Sequence, residues 1–536
     1  MTVGSSYDAI IIGAGHNGLV AACYLARAGK RVLVLERRGV LGGACVTEEV
    51  FPGFKVSVAS YVISLFLPQI IRQLRLADYG FKVLPRNPSS FTPFPDGRYL
   101  LLGPDPALNH REIAKFSTRD ADRYPQYEAL LDRVARFIEP TLTITPPNLQ
   151  RGSVPQRLRA AWDALPLLLR MQALAAEVPE AVELLVGSAT RILDRWFESD
   201  QLKATLATDA IIGTLAPPSA PGTAYVLLHH VMGEAGGARG VWGYVQGGMG
   251  GLTQALAAAA RDLKVEIRTG AEVSQILVHA GHVMGVSLAN GTEFRAPVVA
   301  SGADAHVTFE KLLDPTQLPA RFRDHIRRID YSSASMKINV ALSELPRFTA
   351  LGTAADQSGC LRGTIHVSPT MEYLERAYDN AKYGRPSQNP ILECTIPSTV
   401  DATVAPAGKH LMSMFVQYAP YRLRESSWDE VKESFADRCL DVLAEYAPNI
   451  KSAVIGRQVL SPLDLEREFN LTGGNIFQGA MSLDQLFLFR PAFEWSDYRT
   501  PIRGLYLCGA AAHPGGGVLG ACGLNAAREI LRDRLV

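Results

Sequence analysis

Tyr7-Asp-Ala-Ile-Ile-Ile-Gly-Ala-Gly-His-Asn-Gly18 is the stretch on which the reading of this chain turns. Tyr7 to Ile12 is short and almost continuously apolar, as in a parallel strand buried on both faces. Residues 16–28 carry Leu19, Ala22, Cys23 and Ala26 at helical spacing, with Gly29 as the stop. Residues 31–36 supply a second strand, so the segment predicts a βαβ unit with G-x-G-x-x-G at its turn. Gly13 permits the tight turn, Gly15 clears space for a pyrophosphate against the backbone, and Gly18 lets helix and strand approach. The helix N-terminus, with Ala14 and Asn17 beside it, turns a partial positive charge toward that anion. Glu36 ends the second strand at about the 20-residue distance expected of an acid that holds a ribose hydroxyl. An ordinary strand–loop–helix is the alternative, and the acid in register favours the nucleotide.

Beyond Glu36 comes Arg37-Arg38-Gly39-Val40-Leu41-Gly42-Gly43, whose paired glycines let backbone pass close to a bulky cofactor. At the other end, Gly504-Leu-Tyr-Leu-Cys-Gly509 reads as a buried strand and His513-Pro-Gly-Gly-Gly-Val518 as a glycine loop. Residues 520–535 read as a closing helix. That helix, aimed at a flavin's pyrimidine edge, would stabilise the negative charge of the reduced ring. The two glycine segments together predict one flavin dinucleotide held at its phosphate and ring ends.

Between them, residues 85–240 look like an inserted domain of proline-punctuated amphipathic helices, such as 124–138 and 181–197. Strands follow at 265–268, 271–278, 283–288 and 298–304, with Asn290-Gly291 as a hairpin turn. Residues 331–477 mix strands (336–342, 411–417) with a helix at 428–446. The expected division interleaves FAD-binding segments 1–84, 241–330 and 481–536 with substrate-domain segments 85–240 and 331–480.

Composition narrows the class. A chain of 536 residues, 47% apolar and 20% charged, can bury large cores. A net charge of +1 gives no electrostatic case for nucleic acid. Seven scattered cysteines without C-x-x-C indicate reduced thiols, neither a disulfide framework nor a zinc site. With the first strand starting at Tyr7, no presequence is expected, and no apolar run is long enough to span a membrane. A cytoplasmic location is expected.

The two terminal motifs and the Glu36-Arg-Arg…Gly42-Gly43 continuation resemble the phytoene-desaturase-like flavoprotein family. Pro52-Gly53-Phe54-Lys55…Ala59-Ser60-Tyr61 and Trp242-Gly-Tyr-Val-Gln-Gly-Gly-Met-Gly250 are similar to its branch called pyridine nucleotide-disulfide oxidoreductase domain-containing protein 2. The resemblance implies an α/β fold: a glutathione-reductase-like, FAD-binding Rossmann domain with an amine-oxidase-type α+β substrate domain. It implies Gly13, Gly15 and Gly18 at the pyrophosphate, Glu36 at the ribose, Gly42 and Gly43 near the diphosphate, and the Val273 backbone at the adenine. Gly302, Gly509 and the loop of His513, Gly516, Gly517 and Val518 would line the ribityl chain and ring. Many relatives carry Gly-Gly-Arg where this chain has Gly42-Gly43-Ala44, which leaves the cationic phosphate contact to another residue, with Arg37 and Arg38 as candidates. The redox disulfide in the branch name finds no support in the cysteine spacing.

Only one complete dinucleotide fingerprint is present, so electrons are expected to leave to oxygen, a quinone or another soluble acceptor and not through NAD(P)H. The expected chemistry is hydride transfer between a hydrophobic, isoprenoid-like substrate and flavin N5. An amine oxidase and a flavin-bound isomerase or non-catalytic partner protein are the competing readings. No catalytic acid or base is identified. His513 is read as a residue that orients backbone, Cys45 as a buried thiol, and the His229-His230 pair as structural. Two stretches could meet lipid, Tyr61-Val-Ile-Ser-Leu-Phe-Leu-Pro68 and residues 157–170, although core or domain packing is the favoured reading of both.

Overall fold

Ile10 and Ile11 have no exposed surface because their strand, Ala9–Ile12, lies at the middle of a five-stranded parallel sheet. The strand order is Glu266–Arg268, Val32–Leu35, Ala9–Ile12, Val298–Ser301, Leu505–Leu507. Ala9 stands opposite both Val32 and Val298, and Val299 opposite Leu505. The expected βαβ unit is therefore present, and strands from three distant parts of the chain complete its sheet. The computed structural model describes residues 7–535 except 152–153, 156, 159–160, 163–164, 166–177, 236–237 and 354–355. Helix His16–Arg27 covers one face of the sheet and packs against the closing helix Ala521–Asp533. There a Cβ on Gly523 would sit 2.0 Å from the Asn17 carbonyl oxygen, so only glycine admits this approach. The Asn290-Gly291 turn joins His282–Leu288 to Glu293–Arg295 as an antiparallel hairpin.

A second, seven-stranded sheet runs Val454–Leu460, Ser335–Leu342, His410–Gln417, Ile391–Thr395, Thr364–Val367, Ser90–Pro93, Tyr99–Leu102. All its pairs are antiparallel except Thr364–Val367 with Ser90–Pro93. Side chains alternate: Met336, Ile338 and Val340 enter an apolar core shared with helix Trp428–Ala444, and Lys337 and Asn339 point the other way.

Two local expectations are corrected. The stretch 85–240 is not helical throughout: it opens with the hairpin Ser90–Pro93/Tyr99–Leu102, turned at Asp96-Gly97 with Gly97 at φ +83°. The single helix expected over 181–197 is two, Val178–Val186 and Ala189–Trp196. Gly187 ends the first, and the Ser188 hydroxyl caps the second by accepting the Arg191 N–H at 3.3 Å. The lipid-facing reading of 157–170 falls largely outside the described residues, though Leu158 and Trp162, which are described, are well exposed. Among the described residues no helix is long and apolar enough to cross a membrane. All seven cysteines are free.

Candidate functional site

The glycine turn separates two jobs that the motif alone runs together. Helix His16–Arg27 starts from Gly15, where an added Cβ would meet nothing within 4 Å. On Gly18 the same atom would sit 2.2 Å from the Gly13 carbonyl oxygen. Gly15 thus borders open space, and Gly18 is closed by packing. Glu36 is buried against this turn: its Oε2 accepts the Ala14 N–H at 2.9 Å and its Oε1 the Arg38 N–H at 2.9 Å. The carboxylate is fixed with lone pairs to spare. Gly42 donates its N–H to the Ala14 carbonyl at 3.1 Å, which closes the third side.

From this cradle a continuous cavity of about 690 Å³ runs to the seven-stranded sheet. Gly13, Gly15, Asn17, Gly18, Glu36, Arg37, Arg38 and Gly43 line its first part, then Val273 and Gly302, then Gly509, Gly517 and Val518. The terminal glycine loop and the first turn meet here, since the Gly517 backbone faces the His16 ring. Burial lowers the His16 pKa to about 4, an effect that backbone only partly offsets. Asn17 Oδ1 and Arg38 Nη1 are buried without a hydrogen-bond partner, which suits a polar ligand at this end. Arg38 otherwise pairs through Nη2 with Glu48 at 2.7 Å, and Arg37 donates from Nη2 to the carbonyls of Arg467 and Glu468. Of the two arginines, Arg38 is the one with a buried nitrogen left without a partner.

Four predicted residues stand off the cavity wall. Ala14 and Gly42 brace the turn from behind. His513 turns its ring away: Nε2 lies 2.9 Å from the Thr141 carbonyl, and burial lowers its pKa to about 4. The ring is neutral at pH 7 and holds backbone. Gly516 is packed shut, with Phe477 Cδ1 2.1 Å from where a Cβ would be. Cys45 does reach the cavity, as a thiol pushed up to about 12 by burial.

The far wall is polar. In the seven-stranded sheet His366 stands opposite Glu393, Glu393 opposite Phe415, and Phe415 opposite Lys337, so all four project from one face. The last three line the cavity, together with Tyr61, Arg86, Asp209, His229, His230 and Trp242. The Lys337 ammonium lies 3.9 Å over the Tyr61 ring and against the Ser413 hydroxyl, and burial holds its pKa well below the ordinary lysine range. The Tyr61 hydroxyl faces Glu393 Oε2 at 3.4 Å. Arg86 donates from Nη1 to the Thr364 hydroxyl at 2.6 Å and from Nε to the Trp242 carbonyl at 3.3 Å. Burial raises the Asp209 carboxyl above its usual range, against the opposing pull of His230. His229 is 3% exposed, with the Gly516 backbone beside its ring. Burial brings its pKa to about 3. Sequence reasoning passed over Lys337, Glu393, Asp209 and Arg86, and took the histidine pair for scaffold. The available signal was a charge set inside an apolar strand, as in Met336-Lys-Ile338 and Ile391-Leu-Glu-Cys394.

The Tyr61–Leu65 part of the apolar stretch lines the same cavity, between cradle and sheet. Among the described residues no group of histidines, cysteines and carboxylates has metal-binding geometry.

Comparison with known proteins bears on this geometry. The family described as flavin containing amine oxidoreductase matches residues 18–531. The chain is 48% identical to pyridine nucleotide-disulfide oxidoreductase domain-containing protein 2 of Rattus norvegicus, over 98% of this chain and 94% of that protein. It is 26% identical to a lycopene-forming phytoene desaturase of Pseudescherichia vulneris, over 95% of this chain and 96% of the other. Among solved structures, putrescine oxidase bound to putrescine superposes with a TM-score of 0.60 at 16% identity, covering 99% of each chain. That last likeness is one of fold.

Proposed function

The chain belongs to the family of flavin-containing amine oxidoreductases, and on that footing we propose that it is an FAD-dependent dehydrogenase of the desaturase type acting on a hydrophobic, isoprenoid-like molecule. The observation that carries the reading is the continuity of one cavity from the nucleotide cradle to the sheet wall. Bound there, FAD supplies a hydride acceptor at N5 for a substrate C–H bond.

The chain's own residues bind and orient. Glu36 offers its remaining lone pairs to the ribose hydroxyls, and the start of helix His16–Arg27 faces the diphosphate. Arg38 Nη1, buried and unpartnered, supplies the positive contact that Ala44 does not. The Val273 backbone serves the adenine, and Gly517 and Val518 border the ring. Val62, Ile63, Leu65, Phe415 and Phe477 exclude water and hold an apolar body at the roughly 3–3.5 Å that transfer requires. The likeness to a phytoene desaturase supports an isoprenoid-like substrate.

Purified protein is expected to be yellow, and Glu36→Ala to lose FAD at least tenfold more readily in equilibrium dialysis. Anaerobic titration then identifies the chemistry. Bleaching by a polyene precursor supports the proposal, bleaching by amines replaces it with an amine oxidase, and indifference to both points to an isomerase or partner protein. A colourless preparation that cannot be reconstituted with FAD ends it.

A further inference from the structure

The sheet end of the cavity is built to accept hydrogen bonds. Glu393 is 5% exposed and its Oε1 has no hydrogen-bond partner; His366 Nδ1 lies 3.5 Å away and faces the Thr208 hydroxyl at 3.1 Å. Asp209 reaches the same wall from the turn Thr208–Ala210, and its carboxyl is within electrostatic reach of Glu393, Arg86 and His230. His230 Nδ1 lies 2.8 Å from the Val226 carbonyl and donates to it. Arg86, the one guanidinium here, is already committed to the Thr364 hydroxyl and the Trp242 carbonyl. Two carboxylates thus share one arginine.

A plain hydrocarbon would leave Glu393 Oε1 buried and unpaired, at roughly 1–3 kcal/mol, and would offer the Asp209 carboxyl no donor. We propose that the cavity's ligand is amphipathic, an apolar body ending in a hydrogen-bond-donating head, hydroxyl or ammonium, seated against Asp209 and Glu393. The apolar body then lies along Ile63, Phe415 and Phe477 toward the glycine loop. This inference rests on the dehydrogenase reading and narrows its substrate class.

Isothermal titration calorimetry on the FAD-loaded protein compares geraniol, geranylamine, geranic acid and the hydrocarbon myrcene, one carbon skeleton with three heads or none. Geraniol and geranylamine are expected to bind at least tenfold tighter than myrcene and geranic acid, and the ratio of the first two tells hydroxyl from ammonium. Asp209→Asn and Glu393→Gln each cut that preference about tenfold with myrcene binding unchanged, flavin content serving as the check on folding. Equal binding of myrcene, preference for geranic acid, absence of heat with all four, or a preference intact in both variants overturns the inference. A protein that takes up no FAD yet keeps the head-group preference sinks the flavin reading alone.

Discussion

At the scale of single residues, the first glycine motif separates cofactor binding from packing. Gly15 sits at φ −69° with open space where a methyl would go, so Gly15→Ala adopts the native backbone without strain. Its methyl enters the cavity at the diphosphate end. Gly18→Ala drives a carbon to 2.2 Å from the Gly13 carbonyl and must move helix or strand, an overpacking cost of about 1–3 kcal/mol. The expected result is a crossed pattern: Gly15→Ala unfolds in urea like the wild-type apoprotein but binds FAD at least tenfold more weakly. Gly18→Ala loses stability in the apoprotein as well. Equal losses of stability would show that Gly15 is a packing glycine too. That Gly18 packs closely and Gly15 borders open space was readable from the spacing of strand, loop and helix. The Arg37 contacts were not, because they are made to the Arg467 and Glu468 carbonyls, some 430 residues away.

At the scale of elements, strand Ser335–Leu342 shows why the polar wall was harder to see. Its alternation is plain in the sequence, yet nothing local says that Lys337 shares a row with Glu393 and Phe415; that follows from pairing across three strands. The wall is assembled by register. Its lysine has a measurable signature. Burial lowers the Lys337 pKa well below 10.5, so above its folded pKa the folded chain lacks a proton that the unfolded chain still binds. Stability from this group therefore rises with pH up to the unfolded value near 10.5 and is lost as pH falls through the folded pKa. Urea denaturation between pH 7 and 10 is expected to show wild type gaining stability relative to Lys337→Met as pH rises, the shared lysines and tyrosines cancelling in the difference. Parallel curves would mean that the ammonium stays charged in the cavity. The same element-level view explains the broken helix at Gly187-Ser188, where a cap residue and a glycine outweighed a continuous amphipathic pattern.

Over the whole molecule, the site depends on the last 60 residues returning to the first 40, and a single buried cation holds that return in place. Arg490 is 1% exposed and faces no carboxylate. Its guanidinium instead donates to five carbonyls, those of Phe477, Gly479, Ala480, Gln485 and Ala510. Four of these belong to residues 477–485, whose Phe477 lines the cavity, and the fifth leads into the terminal glycine loop. Burial lowers the Arg490 pKa only to about 10, so the group stays charged at neutral pH. The terminal motifs announced that both ends of the chain meet, but this clamp left no trace in the sequence, since backbone acceptors carry no residue identity. Arg490→Met removes the donors and leaves the carbonyls buried without partners, each costing about 1–3 kcal/mol where water cannot reach. Some will relax, so the expected loss in urea denaturation is about 3 kcal/mol or more, with FAD retention falling in parallel because the loop at Gly515–Gly517 is no longer fixed. Arg490→Lys recovers little, because one ammonium with three donors cannot span five acceptors. A loss below about 0.5 kcal/mol in Arg490→Met, within the range of ordinary surface substitutions, would mean that the five carbonyls find other partners and that the C-terminal loop is held by the parallel sheet alone.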